Sequence, residues 1–111
     1  MDKYDYDIDV DAFVLRKSEY NYAYSIDITS EIIIDVDDKK NLIGIEFLDA
    51  SKVLNVNPEV LVRPKKIIAE IKSRNDGINL IMKFEFDNLI REIDTPISTM
   101  FNNNEALIVT E

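Results

Sequence analysis

Residues 30–54 constrain the fold of this chain more than any other stretch. Apolar side chains occupy every second position over residues 32–36 and again over residues 42–48, with a polar run at 37–41 between the two segments. Period-two alternation is the signature of a strand with one buried face. Two such runs around a polar break predict an antiparallel hairpin. The side chains predicted to share its buried face are Ile32, Ile34, Val36, Ile43, Ile45 and Phe47.

A short helix is expected directly after this hairpin. Asp49 fits the N-cap position, because its carboxylate can accept a backbone N–H of the first helical turn. A helix of about five residues, ending near Leu54, is too short to be stable alone and must pack against the hairpin. Gly44 weakens the second strand unless another group approaches closely, so we expect this helix to cross the sheet there.

The segment from Tyr6 to Leu54 resembles the prokaryotic family called domain of unknown function 2283. The positions that carry the resemblance are Tyr6, Asp7, Asp11, Ala12, Asp37, Gly44, Ile45, Glu46, Leu48, Asp49, Ala50 and Ser51. The resemblance implies a small mixed α/β domain with no established activity, so no catalytic residue is carried over. In the turn, relatives usually carry Gly where this chain has Lys40, so either Lys40 or Asn41 must adopt the left-handed conformation.

Length and composition predict one globular domain. The 111 residues are 46% hydrophobic and 32% charged, which is typical of a soluble domain with a modest core. We predict an α+β fold, rich in antiparallel β hairpins around one core, with a short helix after Asp49. Residues 1–111 would form a single domain, in which a β-rich extension (56–111) completes the core of the hairpin-plus-helix module (6–55).

The chain is acidic, and this excludes several classes of partner. Its formal net charge is −9, which disfavours binding to nucleic acid or anionic membranes and favours a basic partner. The absence of Cys and His removes disulfides, thiol or imidazole nucleophiles and the usual zinc ligands. No cofactor or metal is predicted. Without a long apolar run or a signal-peptide pattern, we expect a cytoplasmic protein.

The N-terminal segment alternates apolar residues with acidic ones. This pattern predicts a strand that begins at Tyr4, or only near Ile8, and runs to Val14. The acidic positions are Asp5, Asp7, Asp9 and Asp11. Two interpretations remain open: an oxygen-rich site for a divalent cation, or a solvated edge whose charges prevent edge-to-edge pairing. The second is favoured.

Three alternating tyrosines form the candidate interface. Tyr20, Tyr22 and Tyr24 alternate with polar residues over a predicted strand at 20–28. Aromatic rings with polar tips are typical of protein interfaces. The alternative is a half-buried face whose hydroxyl groups reach solvent.

The C-terminal half contains further predicted hairpins. Residues 65–74 fit either a strand or a helix, and so do residues 89–94. The turn signal at 75–77 and the alternation over 78–86 favour the strand at 65–74. The other predictions are an end of the 89–94 segment before Pro96, a polar loop at 98–104 and a strand at 106–110.

Two functions from different classes follow from these patterns. Because residues that carry chemistry are sparse, we favour a non-catalytic module that binds another protein or a second copy of itself. The alternative is a Mg²⁺-dependent nuclease. Glu59, Glu70 and Lys72 are the residues that it would use, since two carboxylates can hold Mg²⁺ and a lysine can lie near the attacking water. An exposed ion pair explains Glu70 and Lys72 equally well.

Overall fold

The computed structural model describes residues 2–74, 77–97 and 106–110. Over those residues the chain forms nine strands and two short helices. The strands are β1 (Lys3–Asp7), β2 (Ala12–Arg16), β3 (Tyr24–Asp27), β4 (Ile32–Val36), β5 (Leu42–Phe47), β6 (Lys66–Arg74), β7 (Gly77–Glu85), β8 (Ile90–Ile97) and β9 (Ala106–Thr110). The helices are α1 (Ala50–Leu54) and α2 (Pro58–Leu61).

The strands form two antiparallel sheets. The first sheet has the order β1-β2-β5-β4-β3, and the second has the order β8-β7-β6-β9. The organising hairpin is β4–β5, where Ile34 lies opposite Ile45. The predicted β-rich α+β fold, with antiparallel hairpins and a short helix after Asp49, is therefore confirmed.

The core lies between the inner faces of the two sheets. The rings of Phe13 and Phe47, on neighbouring strands of the first sheet, stack with their centroids 4.5 Å apart. Both meet the ring of Phe84 from the second sheet edge-on, at 5.5 and 6.0 Å. Aromatic pairs favour this geometry, and all three side chains are fully buried. One hydrophobic cluster thus contains residues from both sheets.

Helix α2 was not predicted from the sequence, although its signal is present. The side chain of Asn57 accepts a hydrogen bond from the N–H of Glu59 at 3.0 Å, and Pro58 occupies the first turn. Both are standard features of a helix start. Leu61 is fully buried, and its carbonyl accepts a hydrogen bond from the hydroxyl of Tyr4 at 2.7 Å. Helix α2 is thereby tied to the edge strand β1.

The single N-terminal strand predicted from Tyr4 or Ile8 to Val14 is wrong. The chain turns after Asp7, and β1 and β2 pair as a hairpin. In the turn, the carboxylate of Asp7 accepts a hydrogen bond from the N–H of Asp9 at 3.0 Å, and Asp11 adopts a left-handed conformation with φ of 55°. Asp tolerates that conformation better than most residues do, so a turn can form here without glycine. The alternating pattern continues through this turn, and the sequence therefore gave no sign of it.

The turn between β4 and β5 resolves the choice between Lys40 and Asn41. Lys40 adopts the left-handed conformation, with φ of 65°. The carboxylate of Asp37 accepts hydrogen bonds from the backbone N–H groups of Lys39 and Asn41 at 2.9 and 2.8 Å. The turn is therefore stabilised by Asp37 even though glycine is absent.

The C-terminal predictions are confirmed in the main. Residues 66–74 form a strand rather than a helix and pair with β7. The predicted strand at 106–110 is present as β9. The predicted end before Pro96 is wrong, because β8 lies at a sheet edge, where a proline without an N–H is tolerated. Within the predicted turn at 75–77, Asn75 and Asp76 lie outside the described residues, as does the predicted loop at 98–104.

Candidate functional site

The outer face of the first sheet is the candidate interaction surface. Residues whose side chains alternate with the buried ones point away from the core, as Val14 does between Phe13 and Leu15. Within the strands these outward-facing residues are Lys3, Asp5, Asp7, Ala12, Val14, Arg16, Ser25, Asp27, Ile33, Asp35, Gly44 and Glu46.

Gly44 makes room for a tyrosine on this face. A Cβ placed on Gly44 would lie 3.3 Å from a ring carbon of Tyr20 and 3.1 Å from a carboxylate oxygen of Asp35. The expectation that helix α1 crosses the sheet at Gly44 is therefore wrong. A close approach does occur at this glycine, but the approaching group is the ring of Tyr20.

Tyr20 and Tyr22 form a stack that Asp35 and Ser25 hold in place. Their rings lie 6.2 Å apart and are inclined by 19°. The hydroxyl of Tyr20 donates to one carboxylate oxygen of Asp35 at 2.6 Å, and the hydroxyl of Ser25 donates to the other at 2.7 Å. The hydroxyls of Tyr22 and Ser25 are 2.9 Å apart. We call Tyr20 and Tyr22 the tyrosine stack.

The surroundings of Tyr20 change its chemistry. Burial and the hydrogen bond to Asp35 raise the pKa of Tyr20 to about 12, although the nearby guanidinium of Arg16 opposes this shift. That guanidinium lies 5.1 Å from the centre of the ring, within the range of a cation–π contact. The hydroxyl therefore remains protonated and donates to Asp35 throughout the physiological pH range.

Tyr24 lies apart from the tyrosine stack. It is the first residue of β3 and pairs with the buried Val36, so its side chain lies on the core side of the sheet. The next residue, Ser25, lies opposite Asp35 on the outer side. The strand predicted at 20–28 is shorter than expected, because only residues 24–27 are extended and paired. The structure thus brings together two of the three tyrosines that the sequence grouped.

The charges on the outer faces of the two sheets differ. The outer face of the first sheet has five carboxylates and two cations within its strands. On β6, β7 and β8 of the second sheet, four carboxylates face outward beside three lysines. There, Lys66 lies opposite Glu85 and Lys83 opposite Glu92, whereas Glu70 and Asp94 lie on either side of Ile81. Cross-strand pairs of opposite charge are typical of a solvated sheet surface.

One row of residues across the first sheet alternates acidic and aliphatic side chains. Asp5 lies opposite Val14, Val14 opposite Glu46, Glu46 opposite Ile33, and Ile33 opposite Asp27. Each carboxylate in this row faces an aliphatic neighbour rather than a cation. We call these five residues the acidic row.

A second cluster anchors the N-terminus of helix α1. One carboxylate oxygen of Asp11 accepts hydrogen bonds from the hydroxyl of Tyr6 at 2.7 Å and from the N–H of Ser51 at 3.0 Å. The other accepts from the hydroxyl of Ser51 at 2.6 Å. The carbonyl of Asp11 also accepts from the N–H of Ala50 at 2.9 Å. We call Tyr6, Asp11 and Ser51 the aspartate clasp.

The prediction that Asp49 caps helix α1 with its side chain is wrong. Asp49 occupies the N-cap position, but it adopts a left-handed conformation, with φ of 50°, and its carboxylate makes no capping hydrogen bond. Asp11 supplies that contact from 40 residues away. At the other end of the helix, the guanidinium of Arg91 donates to the carbonyls of Leu54 at 3.0 Å and Asn55 at 3.2 Å. Both ends of α1 are therefore held by distant residues.

The aspartate clasp shifts the pKa of two of its members. Burial alone would raise the pKa of Asp11, but hydrogen bonds from Ser51 and Tyr6, with the positive charge of Lys52, lower it below its usual value. Burial and the hydrogen bond to Asp11 raise the pKa of Tyr6 to about 12. The clasp is therefore charged at Asp11 and neutral at Tyr6 near neutral pH. These bonds hold the helix and leave no reactive group in place, so we assign the clasp a structural role.

The four N-terminal aspartates do not converge on one point. Asp5 and Asp7 lie on the outer face of β1, Asp9 lies in the turn, and Asp11 belongs to the clasp. Within the described residues, no group of three or more acidic side chains is placed to hold a metal ion.

The residues of the nuclease alternative lie in different places. Glu70 and Lys72 form an ion pair at 3.3 Å on the outer face of the second sheet. Glu59 belongs to α2 and lines a cleft of about 270 Å³ together with Arg63 and Asp87. The exposed ion pair between Glu70 and Lys72 contributes at most about 1 kcal/mol to stability. The structure gives the nuclease alternative no support.

Among the described residues, no helix is long and apolar enough to cross a membrane.

Comparisons with known proteins identify the family. Residues 3–51 match the family described as "Protein of unknown function (DUF2283)". A relative from Methanosarcina mazei, named "Putative hypoxanthine phosphoribosyltransferase", is 31% identical over 108 residues, which cover 97% of this chain and 87% of the relative. No solved structure matches the chain. The matched segment contains the tyrosine stack, the aspartate clasp and the organising hairpin. Residues 3–51 of this chain therefore form a segment of the DUF2283 family.

Proposed function

We propose that this protein is a non-catalytic interaction module that contacts another protein, or a second copy of itself, through the outer face of its first sheet. The observation that carries this proposal is the tyrosine stack. Tyr22 is 54% exposed, yet its ring is fixed against Tyr20 and its hydroxyl lies against Ser25. An exposed aromatic side chain held in place in this way is suited to recognition.

Preorganisation is the physical basis of the proposal. Ordering a flexible side chain at an interface costs about 0.5–1.5 kcal/mol, and a side chain that is already fixed avoids most of that cost. Tyrosine is also among the residues whose truncation weakens interfaces most. Here Asp35 and Gly44 fix Tyr20, and Tyr20 in turn supports Tyr22. The sheet therefore acts as a rigid support for the exposed ring.

The described residues give no support to the activity in the name of the Methanosarcina mazei relative. A phosphoribosyl transfer requires groups that bind phosphates, such as glycine-rich loops at the N-terminus of a helix. Gly44 lies inside β5 beneath Tyr20, and Gly77 begins β7, so neither glycine is in such a loop. The net charge of −9 also disfavours a phosphorylated substrate.

The proposal treats residues 1–111 as one domain. The shared cluster around Phe13, Phe47 and Phe84 supports this view, because the 6–55 module would expose Phe13 and Phe47 without the 56–111 extension. The cytoplasmic location remains a prediction from the sequence, and so does the choice between a partner protein and a second copy.

The test replaces one exposed residue on each sheet. Tyr22→Glu should release a partner that co-purifies with the tagged wild-type protein, because an unpaired charge buried at an interface is costly. Ile90→Glu is the matched control, since Ile90 is 53% exposed and lies on the outer face of the second sheet. Co-purification and mass measurement of the native complex provide the readout. If Tyr22→Glu retains every partner and the same mass, or if both variants lose the partner equally, the tyrosine stack is not the contact.

A further inference from the structure

We propose that the cleft between Lys3 and Arg16 binds a carboxylate group, supplied by an acidic side chain of the partner. The cleft lies at one corner of the outer face of the first sheet, where β1 begins and β2 ends. The inference rests on the proposed function, because it names the group of the partner that this face would contact. It uses a separate observation, which is the charge and pairing of Lys3 and Arg16.

Lys3 and Arg16 are an unusual pair in this fold. They lie directly opposite each other on β1 and β2, and both side chains are exposed on the outer face. Among the paired residues of the described strands, they are the one cross-strand pair of like charge. Like charges placed directly opposite each other destabilise a sheet. Other cations in the strands face a carboxylate or a neutral residue, as Lys66 faces Glu85.

The two cations flank a cleft and have no counter-charge bound to them. Neither forms an ion pair, with Asp5 or with any other residue that the structure describes. Together with Asp5 and Val14 they line a cleft of about 190 Å³. A water molecule occupies roughly 30 Å³ in the liquid, so the cleft has room for a carboxylate and the atoms next to it. An anion bound there would relieve the repulsion between the two cations.

Arg16 is held in position by the tyrosine stack. Its guanidinium lies 5.1 Å from the ring centre of Tyr20, and the hydroxyl of Tyr20 donates to Asp35 at 2.6 Å. A cation–π contact uses the charge of the guanidinium and leaves its N–H donors available. Arginine binds a carboxylate with two parallel hydrogen bonds from such donors, and the ammonium of Lys3 would add a third. A partner that contacts Tyr22 would therefore meet a positioned cation beside the stack.

The charge of the cleft selects a carboxylate over a phosphate. Lys3 and Arg16 carry two positive charges and Asp5, from the acidic row, carries one negative charge, which leaves +1. A carboxylate balances this charge. A phosphate dianion would exceed it, and the net charge of −9 on the chain would repel it further. The chain as a whole favours a basic partner, but this corner favours an acidic group.

The test is a titration of the full ¹⁵N-labelled chain with four probes at constant ionic strength. The probes are acetyl-Ala-Glu-Ala-amide, the same peptide with glutamine in place of glutamate, acetate and inorganic phosphate. The glutamate peptide and acetate should shift the side-chain Nε–H resonance of Arg16 and the backbone amide resonance of Val14, and added salt should weaken both. The glutamine peptide should shift neither. Equal shifts from the glutamine peptide, phosphate binding at least as tight as that of acetate, or no shifts at all would overturn the inference.

Comparison of the glutamate peptide with acetate identifies the source of the carboxylate. A side-chain carboxylate brings methylene groups that can contact Val14, so the peptide should bind more tightly than acetate. That result supports a partner's side chain as the source. Acetate that binds as tightly as the peptide would indicate a site for free carboxylates, and the assignment to a partner would be overturned.

Matched variants separate the cleft from bulk charge. Lys3→Gln should weaken binding of the glutamate peptide about two- to fivefold, the range of one exposed charge pair. Lys83→Gln removes the same charge from the outer face of the second sheet and should leave binding unchanged. Asp5→Asn removes the carboxylate that opposes the ligand and should tighten binding, a gain that a folding defect would not produce. An equal loss in the two lysine variants, or weaker binding in Asp5→Asn, would refute the cleft as the site.

The outcomes distinguish this inference from the proposed function. If the glutamate peptide shifts neither resonance while Tyr22→Glu still releases a native partner, the carboxylate inference fails and the interaction module stands. If the peptide binds and Lys3→Gln weakens it, yet Tyr22→Glu retains every partner, the carboxylate cleft stands and the contact through the tyrosine stack fails.

Discussion

Two aspartates illustrate how contact, rather than sequence position, decides a residue's role. Asp11 and Asp49 both adopt left-handed backbone conformations, with φ of 55° and 50°, and both lie beside the start of helix α1. Only the carboxylate of Asp11 bonds to the first turn of the helix. The two residues therefore form a matched pair for mutation.

We predict that Asp11→Asn lowers the free energy of unfolding by about 1–2 kcal/mol, because it weakens three hydrogen bonds to a charged acceptor. Asp49→Asn should change it by less than about 0.5 kcal/mol, since no capping bond is lost. Asn tolerates the left-handed conformation at both sites, so backbone strain does not contribute to either change in unfolding free energy. Urea denaturation measures both values. Equal effects would mean that the clasp does not stabilise the helix.

The pH dependence of the clasp follows from the lowered pKa of Asp11. A carboxyl group whose pKa is lower in the folded state stabilises the fold above its unfolded value, and this contribution is lost as pH falls through the folded value. The difference in unfolding free energy between wild type and Asp11→Asn should therefore be constant near neutral pH and shrink below about pH 4, the usual carboxyl range. Denaturation at a series of pH values tests this. A difference that grows on acidification would contradict the assignment.

At the scale of elements, Gly44 links the β4–β5 hairpin to the tyrosine stack. We predict that Gly44→Val displaces the ring of Tyr20, because the new Cβ alone lies only 3.3 Å from it. Loss of its burial and of the Asp35 contact should bring the pKa of Tyr20 down from about 12 toward the ordinary value of 10.0. Ultraviolet titration of tyrosinate measures this shift, and Tyr20→Phe in the same background identifies the titrating group. An unchanged titration in Gly44→Val would contradict the proposed packing.

The strands could be predicted from the sequence because alternation is a local property. Residues 32–36 show which face is buried without knowledge of the rest of the chain. In β5 the alternation is correct for Ile45 and Phe47 but wrong for Ile43: an irregularity in the pairing places Leu42 opposite Val36, and Leu42 rather than Ile43 joins the core cluster.

The start of α2 could also have been predicted, because an N-cap residue, Asn57, directly precedes a first-turn proline, Pro58. The cap of α1 was not, because a local rule selects the adjacent Asp49 while the bond comes from Asp11 on another hairpin. The one sequence feature that pointed to this cap was that Asp11 and Ser51 are both among the positions that carry the family resemblance.

The candidate interface was predicted only in part, for a similar reason. Alternation assigns Tyr20, Tyr22 and Tyr24 to one face only if the whole segment is a single strand. The observed strand β3 begins at Tyr24, so the two earlier tyrosines do not follow its alternation: Tyr20 lies over Gly44, and Tyr22 stacks on Tyr20. The contact of Tyr20 with Asp35 depends on how three separate segments pack, which no periodic pattern in the sequence encodes.

At the scale of the whole molecule, Phe84 connects the two sheets. We predict that Phe84→Ala lowers the free energy of unfolding by about 3–5 kcal/mol, since a large buried ring is removed from the shared core. Both sheets should then unfold in a single transition. Amide resonances of Gly44 and Ile81, one from each sheet, should disappear together as urea is raised. Persistence of the Gly44 signal after loss of the Ile81 signal would show that the sheets fold independently, and residues 1–111 would then be two units.

The close fit between Gly44 and Tyr20 also constrains how this family can diversify. A side chain larger than that of alanine at position 44 would enter the space that the ring of Tyr20 uses, so a change at one position alters what is tolerated at the other. The two positions should therefore covary: a relative with a larger residue at the equivalent of Gly44 should lack an aromatic residue at the equivalent of Tyr20. Relatives that have lost the glycine would also have lost the rigid support for the exposed ring, and they should recognise different partners.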